Sequence, residues 1–153
     1  MSKVLLSVVW ISLMSVAAAF LTWMLVGPPD RSVPCNAQEL PKGQVCLSTV
    51  LEWDPDEVLW VDARPRDYWR RNGVEGSVLV NDQEEWVSME ESFVLAVFGD
   101  GSQLKTKVVV YCNQAGCGSS EYVADRLRKK HSEALGFEVY VLSGGFKALA
   151  NQL

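Results

Sequence analysis

No acidic residue stands before Asp30, and between Val4 and Val26 there is no charged residue of either sign. The rest of the chain lacks a basic stripe. Beyond the apolar run 13 basic residues face 19 acidic ones, a net charge of −6. Phosphate neutralisation needs clustered Lys and Arg, so nucleic acid is set aside as a partner. Cysteine is scarce at four residues, and neither Cys-x-x-Cys nor Cys-x-x-Cys-His occurs. Thioredoxin-type chemistry and haem attachment therefore have no support. The spacings of Cys35 with Cys46 and of Cys112 with Cys117 are not those of a zinc site, and no metal is expected. The single histidine, His131, closes the basic run that begins at Arg126 and reads as a solvated helix end rather than a base. That run complements the carboxyl end of its own helix. No internal repeat or low-complexity segment is present.

What is present suits one folded domain. Apolar residues make up 48% and charged residues 22%, which excludes wholesale disorder. At 153 residues there is room for one core and little for a second.

The apolar run Val4–Val26 is broken only by Ser7, Ser12, Ser15 and Thr22. As a helix it is about 35 Å long at roughly 1.5 Å per residue, against a hydrocarbon core of about 30 Å. It has no polar face, unlike a surface helix of a soluble domain. Gly27-Pro28-Pro29 ends it. A cleaved signal peptide is the competing reading, with Ala17-Ala18-Ala19 as its small residues. Apolar sequence continues through Leu25, however, and a signal core is usually about 7–15 residues. The expectation is an uncleaved, single-pass transmembrane anchor over 1–27. Lys3 lies on the short side and Arg31 beyond the prolines, which places the body on the outer, periplasmic side.

A Pro-rich polar linker follows over 28–43, and the folded domain occupies 44–153. Within it short apolar runs alternate with helical ones. Strands are expected at 44–47, 58–62, 78–80, 108–111 and 139–142, and helices at 48–53, 65–71, 119–130 and 146–152. Trp86, Met89, Phe93 and Val97 follow a 3-4-4 spacing that marks one face of a further helix. Glu84-Glu85 and Glu90-Glu91 read as solvated faces, and Trp53, Trp60, Trp69 and Trp86 as core or rim, with Trp69 and Trp86 able to border a pocket. Buried strands alternating with helices predict an α/β fold with a mainly parallel sheet flanked by helices. Ligands of such sheets bind beyond the carboxyl ends of the strands.

That rule points to Cys112, which follows the most apolar strand of the body and opens the loop Asn113, Gln114, Ala115, Gly116, Cys117, Gly118. A helix begins directly after it. Loop amides and the positive end of a helix dipole favour a thiolate, the reactive form of cysteine. The bland alternative is a small buried hydrophobe at a strand end.

The stretch VLWVDARPRDYW from Val58 to Trp69, the strand VVVYC from Val108 to Cys112 and the run VYVLSGGFKAL from Val139 to Leu149 together resemble the rhodanese-like family. The likeness spans a little under two-thirds of the chain, in the family's order. It implies that Asp62 and Arg64 form a structural turn motif, that Cys112 carries a sulfane sulfur as a persulfide, and that the amides of residues 113–118 cradle it. It implies no metal and no organic cofactor. The partners it implies are a sulfur donor or an acceptor thiol. Two departures stand out. No residue of the loop is basic, where many active members hold thiosulfate with an Arg, and Asn72-Gly73-Val74-Glu75-Gly76-Ser77 lacks the His of the corresponding family segment. Thiosulfate is therefore a poor candidate donor, and a phosphatase branch is rejected for want of the closing Arg.

Cys117 either resolves the persulfide, closes a disulfide with Cys112, or packs inertly beneath the helix start. Cys35 and Cys46 flank a polar loop, where an oxidising compartment would permit a disulfide. The expectations are thus a membrane-anchored sulfurtransferase working through Cys112 and Cys117, or a catalytically silent module attached to subunits of a membrane complex.

Overall fold

Among the described residues five strands form one wholly parallel sheet in the order β1-β5-β4-β2-β3. The computed structural model describes residues 3–26, 33–99, 104–114 and 116–150, without the side chains of residues 3–6, 23, 26 and 133. The strands are β1 (Gln44–Val45), β2 (Val58–Asp62), β3 (Val78–Leu79), β4 (Lys107–Tyr111) and β5 (Glu138–Leu142). The helices are α1 (Lys3–Val26), α2 (Leu47–Leu51), α3 (Arg66–Asn72), α4 (Trp86–Phe98), α5 (Gly118–Leu127), α6 (Glu133–Leu135) and α7 (Phe146–Leu149).

Strand β4 lies at the centre because its sequence suits no other place. Val108, Val109, Val110 and Tyr111 are all fully buried, and a run that is apolar on both faces needs cover on both. Alternation sorts them. Val108 and Val110 enter one core with Leu59, Val61, Phe93, Val97, Val123 and Leu127. Val109 and Tyr111 enter the other with Val45, Leu47, Val58, Leu142 and Leu149. The 3-4-4 face of α4 is the buried one, since Trp86, Met89, Phe93 and Val97 are its buried residues. Burying each such side chain contributes about 1.5–3 kcal/mol.

The chain divides into two compact units, Met1–Ser32 and Val33–Leu153. Residues 33–43 of the expected linker lie in the second unit. Cys35 is bonded to Cys46, and the Gly43 carbonyl accepts from Val141 N at 2.9 Å and from Arg128 Nη2 at 3.1 Å.

Several expectations need correction. The anticipated transmembrane segment is helical, but among the described residues no helix is long and apolar enough to cross a membrane. The helix expected over 119–130 starts at Gly118, and from Arg128 to Ser132 it widens into a π-helical turn. Arg128 turns inward there, donating to the carbonyls of Val139 and Gly43. His131 is not solvated. Its side chain is 14% exposed, and Nε2 lies 2.5 Å from Glu90 Oε1. Glu90 also accepts from Lys130 Nζ, and Lys130 foremost, with His131, holds its carboxyl below the usual carboxylate range. Glu84 likewise pairs with Arg66, whose guanidinium depresses its carboxyl. The closing helix is described over Phe146–Leu149, and residues 151–152 of the expected span lie outside the described residues.

Candidate active site

Cys112 sits at the carboxyl end of β4, the central strand, with two paired strands on one side and two on the other. It is 5% exposed. Its position is set mainly from the other end of the chain. The Cys112 carbonyl accepts from Phe146 N at 2.5 Å. Gly145, in a conformation almost confined to glycine (φ 58°, ψ −150°), lies so close that a Cβ there would overlap the Cys112 carbonyl oxygen and stand 2.9 Å from Gln114 N. The Gly-Gly turn after β5 is therefore the floor on which residues 112–114 rest.

Beneath this floor is a buried polar network. The Asp62 carboxylate, fully buried, accepts from Arg64 N and Nε at 2.9 Å, from Arg64 Nη2 at 2.7 Å and from the Tyr111 hydroxyl at 2.8 Å. Arg64, 1% exposed, also reaches Asn72 Oδ1 at 3.2 Å, and its guanidinium carbon lies 3.8 Å from the centre of the Phe146 ring. The Tyr111 hydroxyl in turn accepts from Val74 N at 3.1 Å. Burial, with Asp62 second, pushes the Tyr111 phenol up to about 12, so it stays protonated and donates. One ion pair thus joins the end of β2, the end of α3, the last residue of β4 and the first of α7. Asp62 and Arg64 were singled out by sequence. Tyr111, Asn72 and Phe146 were not, since nothing local marks a residue that closes a distant network.

The loop itself holds a disulfide between Cys112 and Cys117, with Cα atoms 6.1 Å apart, inside the range such a bond requires. Its two halves differ. Cys112 is buried, whereas Cys117 is partly exposed and forms the N-cap of α5. The Cys117 carbonyl accepts from Ser120 Oγ at 2.9 Å, which ties the cap to the first turn. Asn113, Gln114, Gly116 and Gly118 are exposed, and Ala115 lies outside the described residues. Gly116 takes φ +69°, which explains a glycine in the turn back toward α5. A Cβ at Gly116 or Gly118 would meet nothing within 4 Å, so both flanks of Cys117 are open. The charges tied to the first turn of α5 are negative. Asp82 accepts from Ser119 Oγ at 3.0 Å, and Glu121 lies in the first turn of α5. No group of residues among those described has the makings of a metal site.

Away from the loop, a groove of about 400 Å³ is lined by Arg66, Trp69, Ser77, Leu79, Met89 and Ser92 among others. Trp69 borders it and anchors through its indole N–H to Ser77 O at 3.2 Å. Trp86 is instead buried in the core and stacked under Arg126 at 4.0 Å.

The rhodanese-like domain family matches residues 50–152, which takes in the Asp62–Arg64 turn, the Cys112 loop and the Gly144-Gly145 turn. The chain belongs to the rhodanese-like family. Curated proteins offer no match. Among solved structures, the N-terminal domain of a protein from Clostridium difficile 630 is 19% identical, with a TM-score of 0.49 over 71% of this chain and 97% of that one. The BH2092 protein of Bacillus halodurans is 14% identical, with a TM-score of 0.49 over 71% of this chain and 72% of that one. Protein RPA3614 of Rhodopseudomonas palustris CGA009, of unknown function, is 20% identical with a TM-score of 0.38, over 69% of this chain and 71% of that one. In this rhodanese-like domain no residue from Cys112 to Gly118 is charged.

Proposed function

We propose that the domain transfers sulfane sulfur through a persulfide on Cys112, with Cys117 as the resolving thiol. The observation that carries this reading is the pairing itself: a cysteine at the end of the central parallel strand stands within bonding distance of a second thiol on the same loop. In the reduced pair, the Cys112 thiolate takes the outer sulfur of a donor persulfide and the donor leaves as a thiolate. Attack by the Cys117 thiolate on Cys112 Sγ then expels the outer sulfur, reduced to hydrosulfide, and forms the Cys112–Cys117 bond, which an external thiol reduces before the next turnover. Asp82 and Glu121 near the loop, and the want of a basic loop residue, favour a thiol-borne sulfur donor over anionic thiosulfate.

The domain works at a membrane, on the outer side, in an oxidising compartment. Two disulfides support the compartment. Helix α1 supports the attachment, since Val8, Trp10, Ile11, Met14 and Leu25 leave apolar surface exposed along it, and a helix apolar all round requires an apolar environment. Extraction of membranes with alkaline carbonate tests this; release of the protein into the soluble fraction refutes it.

The decisive experiment for the chemistry uses the full chain in mild detergent, reduced and then exposed to a low-molecular-weight persulfide. Intact-mass and fragment spectra are expected to place one added sulfur on Cys112 of Cys117→Ser, where no thiol resolves it, and to show the wild type returned to the Cys112–Cys117 bond with hydrosulfide released. Absence of added sulfur with every donor refutes the transfer reading. The second reading, a silent module docking on a membrane complex, is favoured by the cation-free loop. A stoichiometric partner that co-purifies unchanged with Cys112→Ser, together with no sulfur loading, establishes it instead.

A further inference from the structure

We infer that the Cys112–Cys117 pair also exchanges directly with a partner dithiol, and that exchange enters at Cys117 rather than at Cys112. This rests on the asymmetry of the bond and not on persulfide formation, so it stands or falls separately from sulfur transfer.

Attack on a disulfide requires approach to one sulfur along the line of the bond, and the other sulfur departs. Cys112 is 5% exposed, at the end of a strand in which every residue from Val108 to Tyr111 is fully buried, with the Gly145-Phe146 segment packed against its carbonyl. Cys117 is the more exposed half, flanked by two glycines whose Cβ positions are open space. An incoming thiolate therefore attacks Cys117 Sγ. The Cys112–Cys117 bond breaks, its electron pair leaves on Cys112 as thiolate, and a mixed disulfide joins the partner to Cys117. The partner's second thiolate then attacks the partner sulfur of that mixed disulfide and expels Cys117 as thiolate. The partner has lost two electrons and the pair has gained them. Protons released by the partner thiols pass to solvent and return to Cys112 and Cys117. Departure of Cys117 is favoured because it caps a helix of ten residues, at the positive end of the helix dipole.

The surroundings also fix the kind of partner. No residue from Cys112 to Ser120 is charged, and the charges joined to the first turn of α5 are Asp82, through Ser119, and Glu121. Anionic thiols are repelled, so the partner is a neutral or cationic dithiol.

The test uses the full chain in mild detergent. Wild-type protein is reduced, treated briefly with substoichiometric iodoacetamide, and mapped by tandem mass spectrometry. The label is expected on Cys117 at least about tenfold over Cys112, which equals roughly 1.4 kcal/mol of barrier difference. In parallel, reduced Cys112→Ser and Cys117→Ser are mixed with hydroxyethyl disulfide. The mixed disulfide is expected on Cys117 of Cys112→Ser at least about tenfold faster than on Cys112 of Cys117→Ser. Equal labelling, or faster reaction at Cys112, overturns the inference, and the wild-type arm decides it even if a variant does not fold. Opening of the oxidised pair by cysteamine, mercaptoethanol and mercaptoethanesulfonate, compared at equal thiolate concentration, is expected to slow in that order. A flat or reversed order overturns the partner assignment. Sulfur loading of Cys112 is read in a separate arm, so that failure of loading and failure of this inference are told apart.

Discussion

Replacing Gly145 with alanine tests whether the Gly-Gly turn is the floor of the reactive loop. Two costs add. Gly145 holds φ 58° and ψ −150°, a region essentially limited to glycine, where a side chain costs on the order of 1–3 kcal/mol. The new methyl would also overlap the Cys112 carbonyl oxygen and press on Gln114 N at 2.9 Å and on the Asn113 carbonyl carbon at 3.2 Å, all of them backbone. Backbone cannot swing aside as a flexible side chain does, so relief requires that residues 112–114 lift and that the Phe146 N to Cys112 O bond be lost, a further loss of about 1 kcal/mol. The sum is about 3 kcal/mol, a fall in Tm on the order of 10 °C for a domain of this size. Urea unfolding of the oxidised protein measures the first effect. Alkylation of the reduced protein measures the second: a lifted loop uncovers Cys112, so its reactivity is expected to rise toward that of Cys117. Gly144→Ala is the control. It shares a positive φ, but its Cβ would meet the Val33 and Ala148 side chains rather than the loop, so Cys112 reactivity should stay low even where stability falls. A Gly145→Ala protein that loses less than about 1 kcal/mol and keeps Cys112 protected would refute the reasoning.

Asp62→Ala leaves Arg64 buried without its partner, and chemical denaturation is expected to show a loss of about 3–5 kcal/mol. Cys35→Ser with Cys46→Ser opens a cross-link between residues 11 apart, and the loop-entropy relation gives a loss of about 3 kcal/mol, read by urea unfolding. Glu90 has its carboxyl depressed by Lys130 and His131, so its contribution is present above the ordinary carboxylate range and is lost as pH falls through its folded value. The stability gap between wild type and Glu90→Gln is therefore expected near neutral pH and should close under acid, as unfolding measured from pH 7 to pH 3 will show.

The parts legible in the sequence are those that local pattern dictates. The apolar run at 108–111, three valines and a tyrosine, could only be an inner strand, and the spacing of Trp86, Met89, Phe93 and Val97 could only be a helix face turned inward. Cys112 was legible because it follows the first of these. What stayed hidden depends on distant packing. His131 and Glu90 look like surface charges until α4 and the π-helical turn bring them together. Gly145 looks like any turn glycine until its contact with Cys112 is known. The unequal exposure of Cys112 and Cys117 follows from where a strand ends and a helix starts, a difference of one or two residues that periodicity does not resolve.

The strand order has a consequence for how this chain comes into being. Among the described residues strand β1 pairs with β5 alone, Gln44 opposite Val141 and Val45 opposite Leu142. A chain emerging from its amino end must therefore make nearly the whole domain before its first strand has anything to pair with. Through that interval Val45, Leu47 and Val50 lack the Leu142 and Leu149 that cover them in the finished core, and exposed apolar strands of this sort invite misassembly. The Cys35–Cys46 bond needs no late partner. Its two residues are made within a dozen positions of each other, so it can close early and hold the waiting edge in a tight turn until the last strand arrives.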